Sequence, residues 1–137
     1  MKVSFSHLDY QVVDLAKAKR FYDPLMEMLG FHLRHDEETW ISYGNGDMKW
    51  CLVQVEQQYS EVSFHRKHPG LNHVAFQVEN REEVEEIANF LMERGVNLLY
   101  DSPGHFHDEF DYYALYFEDP FRLKIEVVFS HKYQSIP

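Results

Sequence analysis

His7, His73 and Glu126 are the residues whose types and spacing could do chemistry. The two histidines stand 66 positions apart, each opening a stretch with the alternating apolar pattern of a strand. In His73-Val74-Ala75-Phe76-Gln77-Val78 the residues Val74, Phe76 and Val78 share one face and read as core, leaving His73, Ala75 and Gln77 on the other. Near the C-terminus Leu123, Ile125 and Val127 alternate with Lys124, Glu126 and Val128, which puts Glu126 on a polar face as well. Two imidazoles and a carboxylate converging in one cavity would hold a divalent cation and leave coordination positions open for a substrate. Taken singly, a polar residue on a strand is more often an ordinary hydrogen-bonded one. Their equivalent placement is what raises the chemistry above that reading.

The equivalence comes from a repeat. Shifting the chain by 66 positions lays His7-Leu8-Asp9-Tyr10-Gln11-Val12 on His73 to Val78, with His, Gln and Val identical and apolar residues matched between them. At the same offset Leu25-Met26-Glu27 lies on Leu91-Met92-Glu93, and Gly30 falls one position out of step with Gly95. Several matches in one ungapped register imply two copies of a module of about 65 residues.

Each copy reads as strand, helix and three strands. Asp14 caps a helix running to about Leu29, which Pro24 should kink or split, and Gly30 stops it. Asn80 with Glu83 begins the second helix, whose buried stripe is Val84, Ile87, Ala88, Leu91 and Met92. Strands are expected at 31–35, 39–43 and 49–56 in the first copy, and at 96–100, 112–118 and 121–129 in the second. Asp101 to Asp111, with His105, His107, Asp108 and Glu109, reads as a loop, and the tail after Ser130 as frayed. The fold class is therefore α+β: one domain, 1–137, of two tandem βαβββ modules (about 3–56 and 70–129). Their sheets would form a curved eight-stranded cup. At the last strand of the first module the counterparts of Glu126 are Gln54 and Glu56, which share a face with Trp50 and Leu52. Cys51 is expected on the helix-facing side as a small buried hydrophobe.

Composition narrows the function. At 137 residues and 45% hydrophobic content the chain can bury a real core. A formal charge of −10 argues against nucleic acid and against an anionic membrane surface as partners. One cysteine forms no internal disulfide, and no apolar run reaches the length of a membrane span, so a cytoplasmic protein is expected.

His7 at the start of a strand, Arg20-Phe21-Tyr22 in the first helix, His73, and Glu118-Asp119-Pro120-Phe121-Arg122-Leu123-Lys124-Ile125-Glu126-Val127 together resemble the vicinal oxygen chelate superfamily. That group includes glyoxalase I, bleomycin- and fosfomycin-resistance proteins, extradiol dioxygenases and methylmalonyl-CoA epimerase. The resemblance spans Ser6 to Phe129. It implies the glyoxalase/bleomycin resistance/dihydroxybiphenyl dioxygenase fold, and one divalent metal ion (Zn, Mn, Ni, Co or Fe(II)) held by His7, His73 and Glu126. Gln54 or Glu56 would be the fourth ligand. The usual Asp-Pro-Asp-Gly turn is replaced by Asp119-Pro120-Phe121-Arg122, which points to a role for Arg122 at the rim.

In this superfamily the metal binds two neighbouring substrate oxygens and stabilises the enolate or oxyanion that develops, while a nearby group handles the proton. Glu56 is the candidate acid–base, and Tyr113, His105, His107 and Arg122 are candidate substrate contacts. The leading expectation is a glyoxalase-type lyase or isomerase acting on a small-molecule substrate, assembled as a homodimer. The alternatives are a ring-cleaving dioxygenase, an antibiotic thiol transferase, and a non-catalytic drug-binding protein.

Overall fold

The structure is a computed structural model and describes residues 1–107 and 111–131. Asp108 and Glu109 of the expected loop, and the tail from 132, lie outside the described residues. The chain divides into two compact units, Met1–Ser63 and Phe64–Pro137.

The first unit runs β1 (His7–Val12), α1 (Leu15–Met28), β2 (His32–Asp36), β3 (Trp40–Gly44) and β4 (Lys49–Gln54), followed by a 3₁₀ turn at Gln57–Tyr59. Its sheet has the order β1-β4-β3-β2, with β1 parallel to β4 and the other pairs antiparallel. Asp14 Oδ1 accepts from Lys17 N at 2.8 Å and starts α1. The helix then passes through Pro24 without splitting. An interior proline costs about 3 kcal/mol, and the burial of Tyr22, Leu25 and Met26 on either side of it offsets that cost. Tyr22 packs on Trp50 of β4 with ring centroids 5.8 Å apart, and Tyr10 of β1 meets the same indole at 6.0 Å. That contact decides which face of the sheet carries the helix.

The second unit repeats the plan with β5 (His73–Gln77), α2 (Arg81–Glu93), β6 (Leu98–His107), β7 (Tyr112–Glu118) and β8 (Lys124–Phe129), in the order β5-β8-β7-β6 with β5 parallel to β8. Asn80 Oδ1 accepts from Glu83 N at 2.9 Å, and Glu83 reaches back to Glu79 N at 2.8 Å. Val84, Ile87, Ala88 and Leu91 are buried as expected, whereas Met92 is 51% exposed, just past the edge of the stripe.

The segment read as a loop from Asp101 is instead strand as far as His107. Its Pro, Gly and His residues carry little strand propensity of their own. Pairing with β7 (Gly104 opposite Ala114, His105 opposite Tyr113, His107 opposite Tyr112) supplies the ladder, and bulges absorb the mismatch. Tyr100 and Asp101 adopt φ of 60° and 53° at the first bulge, where Ser102 Oγ bonds both the N–H and the C=O of Tyr116.

The turn before β8 is organised by buried Asp119, whose Oδ1 accepts from Phe121 N at 2.8 Å and Leu123 N at 2.9 Å. Arg122 has φ of 72°, the left-handed conformation that glycine adopts without strain.

Candidate functional site

In the second unit the parallel register sets His73 beside Lys124, Ala75 beside Glu126 and Gln77 beside Val128. Paired residues share a face, so the open side of this sheet carries His73 and Glu126 together. Their contact is direct: His73 Nε2 lies 3.0 Å from Glu126 Oε2. Glu126 is 1% exposed. Its Oε1 accepts from the hydroxyl of Tyr112 and from that of Tyr116, the latter at 3.1 Å. A carboxylate this deep is tolerated only with such partners. Burial first, and then the Glu126 charge, hold the Tyr116 phenol well above the usual tyrosine range, so it remains a donor.

The other ring nitrogen of His73 is also engaged, with Nδ1 lying 2.7 Å from Asn72 Oδ1. Both imidazole nitrogens therefore face oxygen acceptors, and a neutral ring can donate to only one of them. Nε2 and Oε2 are near enough to serve one cation together. A histidine whose Nδ1–H is anchored on an oxygen while Nε2 points at a carboxylate is also how metal-binding imidazoles are oriented. The donor chemistry fits a divalent metal in that respect. Among the described residues, no three His, Cys, Asp or Glu side chains are grouped to hold an ion.

In the first unit His7 opens β1 opposite Lys49, as His73 opens β5 opposite Lys124. It is exposed, with Nδ1 at 3.0 Å from Ser6 Oγ. On β4 the register pairs Asp9 with Cys51 where the second unit pairs Ala75 with Glu126. The positional counterpart of Glu126 is thus Cys51, and this corrects two expectations.

Trp50, Leu52 and Gln54 face α1, because Trp50 is packed on Tyr22. Gln54 is committed there: its Oε1 accepts from Leu15 N at 2.9 Å and its Nε2 donates to Val13 O at 3.0 Å. Glu56 lies beyond the end of β4, exposed, accepting from Gln58 Nε2 at 3.0 Å. Cys51 is on the open face instead of the helix face, in a groove of about 300 Å³ with His7, Asp9, His35, Trp40 and Ser42. Burial and the Asp9 carboxylate push its thiol up to about 11, so it stays protonated and unreactive at neutral pH.

The expected substrate contacts are dispersed by the same parity. Tyr113 points to α2, where its hydroxyl bonds Glu85 and Arg81 lies 5.6 Å from its ring centroid. His105 meets the Tyr113 ring edge-on at 5.1 Å. Tyr112, one residue earlier, is the tyrosine that reaches Glu126, and His107 packs on it at 5.2 Å. Arg122 is exposed on its turn, its Nε 4.0 Å from Glu118 Oε2. Reading single residues missed Tyr112, Tyr116 and Asn72. The register of β7 on β8, with Tyr116 opposite Glu126, is the signal that finds Tyr116.

Comparison with known proteins agrees with this architecture. The family model of the Glyoxalase/Bleomycin resistance protein/Dioxygenase superfamily matches residues 4–127. The chain belongs to that superfamily. Among its relatives, the uncharacterised protein YqjT of Bacillus subtilis is 30% identical over 122 residues, covering 89% of this chain and 95% of YqjT. A superfamily structure from Bacillus halodurans, described as a candidate glyoxalase, superimposes with a TM-score of 0.84 at 35% identity, covering 91% of this chain and 94% of that one. The fosfomycin resistance protein FosX from Listeria monocytogenes shares the fold at 20% identity and a TM-score of 0.70, covering 94% of each chain. No described helix is long and apolar enough to cross a membrane.

Proposed function

We propose that this superfamily member is a divalent-metal-dependent lyase or isomerase acting on a small oxygenated molecule. The observation that carries the reading is the His73–Glu126 pair, an imidazole nitrogen and a buried carboxylate oxygen at 3.0 Å on an open sheet face, two donors that one cation could take together. His73 Nε2 and Glu126 Oε2 would hold the metal. His7, the residue at the matching register point of the first module, is assigned as the third ligand, from the same chain or from a second copy in a homodimer. When bound, the metal supplies a Lewis acid for two neighbouring substrate oxygens.

The chain's own residues do the rest. Asn72 fixes the His73 ring, and Tyr112 and Tyr116 fix the Glu126 carboxyl group by donating to the oxygen turned away from His73. Two groups are assigned to proton transfer. Glu56 is exposed and accepts from Gln58. Tyr100 packs on Tyr116 at 5.4 Å. Burial pushes the Tyr100 phenol up, but Lys124 at 3.4 Å and Arg66 outweigh it and leave it below the ordinary tyrosine value.

The test is elemental analysis of the purified protein, native and His73→Ala. The expected result is a divalent metal in the first and its loss in the second. A metal-free native protein that takes up no Zn²⁺, Mn²⁺, Ni²⁺, Co²⁺ or Fe²⁺ would overturn the reading and leave a drug-binding role in its place. Activity of Glu56→Gln and Tyr100→Phe then assigns the proton carrier.

A further inference from the structure

Net charge is −10, yet in the first unit two cations line one groove. Arg34 on β2 and Lys49 on β4 flank Gly44 at the end of β3. A Cβ placed on Gly44 would stand 3.4 Å from Arg34 Cγ and 3.6 Å from both Arg34 Nε and Lys49 Cγ. The stems of the two side chains therefore meet over the bare glycine backbone. Among the described residues neither makes an ion pair, although Lys19, Arg66, Arg81 and Arg122 all do. Two cations on one groove without an ion pair of their own favour an anion between them.

These side chains line a groove of about 330 Å³ together with Ser6, His35 and Asp47. Asp47 adds a negative charge to the lining but forms no ion pair with either cation. His35 is held with its Nδ1 at 2.9 Å from Ser42 Oγ and its ring 4.9 Å from Trp40, which leaves Nε2 as the remaining polar atom of the ring. His35 and Lys49 also line the neighbouring groove that contains His7. His35 and Lys49 thus stand on the boundary between the Arg34 groove and the groove that holds His7.

We propose that the Arg34–Lys49 groove binds a small anionic molecule through its carboxylate or phosphate group. The occupant so defined is a small acid or phosphate ester, not a neutral aldehyde, ketone or catechol. A planar guanidinium beside an ammonium is the donor set that tetrahedral and carboxylate oxyanions take in two-point fashion. His35 then supplies a third donor on the side facing His7.

The test titrates the isotopically labelled full-length protein with inorganic phosphate and separately with malonate, at ionic strength held constant with chloride. It follows the backbone amides of Gly44 and Lys49 by NMR. The expected result is a saturable shift confined to this groove, and weakening of the apparent affinity by roughly tenfold or more in the Arg34→Gln/Lys49→Gln double variant. Both side chains are exposed, so the variant should keep the native circular dichroism spectrum. Saturation by phosphate alone assigns a phosphate ester, by malonate alone a carboxylic acid, and either supports the site. Shifts that never saturate, or that persist unchanged in the double variant, overturn it. Calorimetric titration with Zn²⁺ in phosphate-free buffer separates the two readings. Metal binding without anion binding removes only the groove, whereas anion binding without metal binding removes the enzymatic role and leaves an anion site.

Discussion

Replacing Glu126 by Gln and by Ala distinguishes what this carboxylate does for the fold from what it does for a cation. The side chain is 1% exposed and meets three partners: the hydroxyls of Tyr112 and Tyr116, and His73 Nε2 at 3.0 Å. Alanine removes all three contacts. Each polar group left unpaired costs about 1–3 kcal/mol, and breaking a buried pair by deleting one partner costs about 3–5 kcal/mol in all. Glutamine keeps an oxygen for the two phenols and turns an amide N–H₂ toward His73, whose Nδ1 is already occupied by Asn72. That donor meets the lone pair of a neutral ring, so every group is satisfied without a buried charge, and stability should stay within about 1 kcal/mol of native.

The assay is urea unfolding of EDTA-treated protein followed by circular dichroism, with Zn²⁺ affinity measured calorimetrically on the same samples. Glu126→Ala should lie about 3 kcal/mol below Glu126→Gln, a gap of roughly 10 °C in Tm for a chain of this size. Glu126→Gln should bind Zn²⁺ at least about 100-fold more weakly despite its native stability, because the anionic oxygen has gone. Equal stabilities for the two variants would refute the hydrogen-bond argument. Native Zn²⁺ affinity in Glu126→Gln would refute the metal argument independently.

Three further outcomes follow from particular contacts. Gln54→Ala should lose about 1–2 kcal/mol by freeing Leu15 N–H and Val13 C=O at the start of α1, with metal affinity unchanged; a large fall in metal affinity in this variant would show that Gln54 is a ligand after all. Arg122→Gly relieves a left-handed residue that costs about 1–2 kcal/mol, less the extra backbone entropy of glycine, about 0.5–1 kcal/mol. A net gain near ~0.5 kcal/mol in chemical denaturation is expected, and Arg122→Ala should show none. If the two variants behave alike, the turn is not strained. Burial, and then the Asp23 carboxylate that accepts from its hydroxyl at 2.7 Å, hold the Tyr43 phenol far above the ordinary value. A folded pKa raised above the unfolded one stabilises fully below the unfolded pKa of about 10 and ceases to do so as pH climbs past the folded value. Tyr43→Phe should therefore be less stable than native at pH 7, and the difference should shrink as the pH is raised above about 10; a pH-independent difference in denaturation midpoint would argue against it.

The amino-acid sequence by itself determined the repeat, the two capped helices, the placing of His73 and Glu126 each on the non-core face of a strand, and the superfamily. Those features depend on local signals, such as Asn80 before Arg81, Asp14 before Leu15, and strict alternation along a strand, which need no knowledge of the neighbours. Only the tertiary structure decided parity and register. Which side of β4 faces the helix turns on Trp50 meeting Tyr22, a contact 28 positions distant in the chain. That single choice sends Gln54 to the start of α1 and Cys51 to the open face beside His7. Likewise Tyr112 and Tyr113 are alike in chemistry, and the ladder between β7 and β8 assigns one to Glu126 and the other to α2. β6 could not be read past Tyr100 because its residues favour turns, and the strand exists there through its bonds to β7. Alternation says that neighbours point opposite ways, but which way each points is settled by the side chains packed against them.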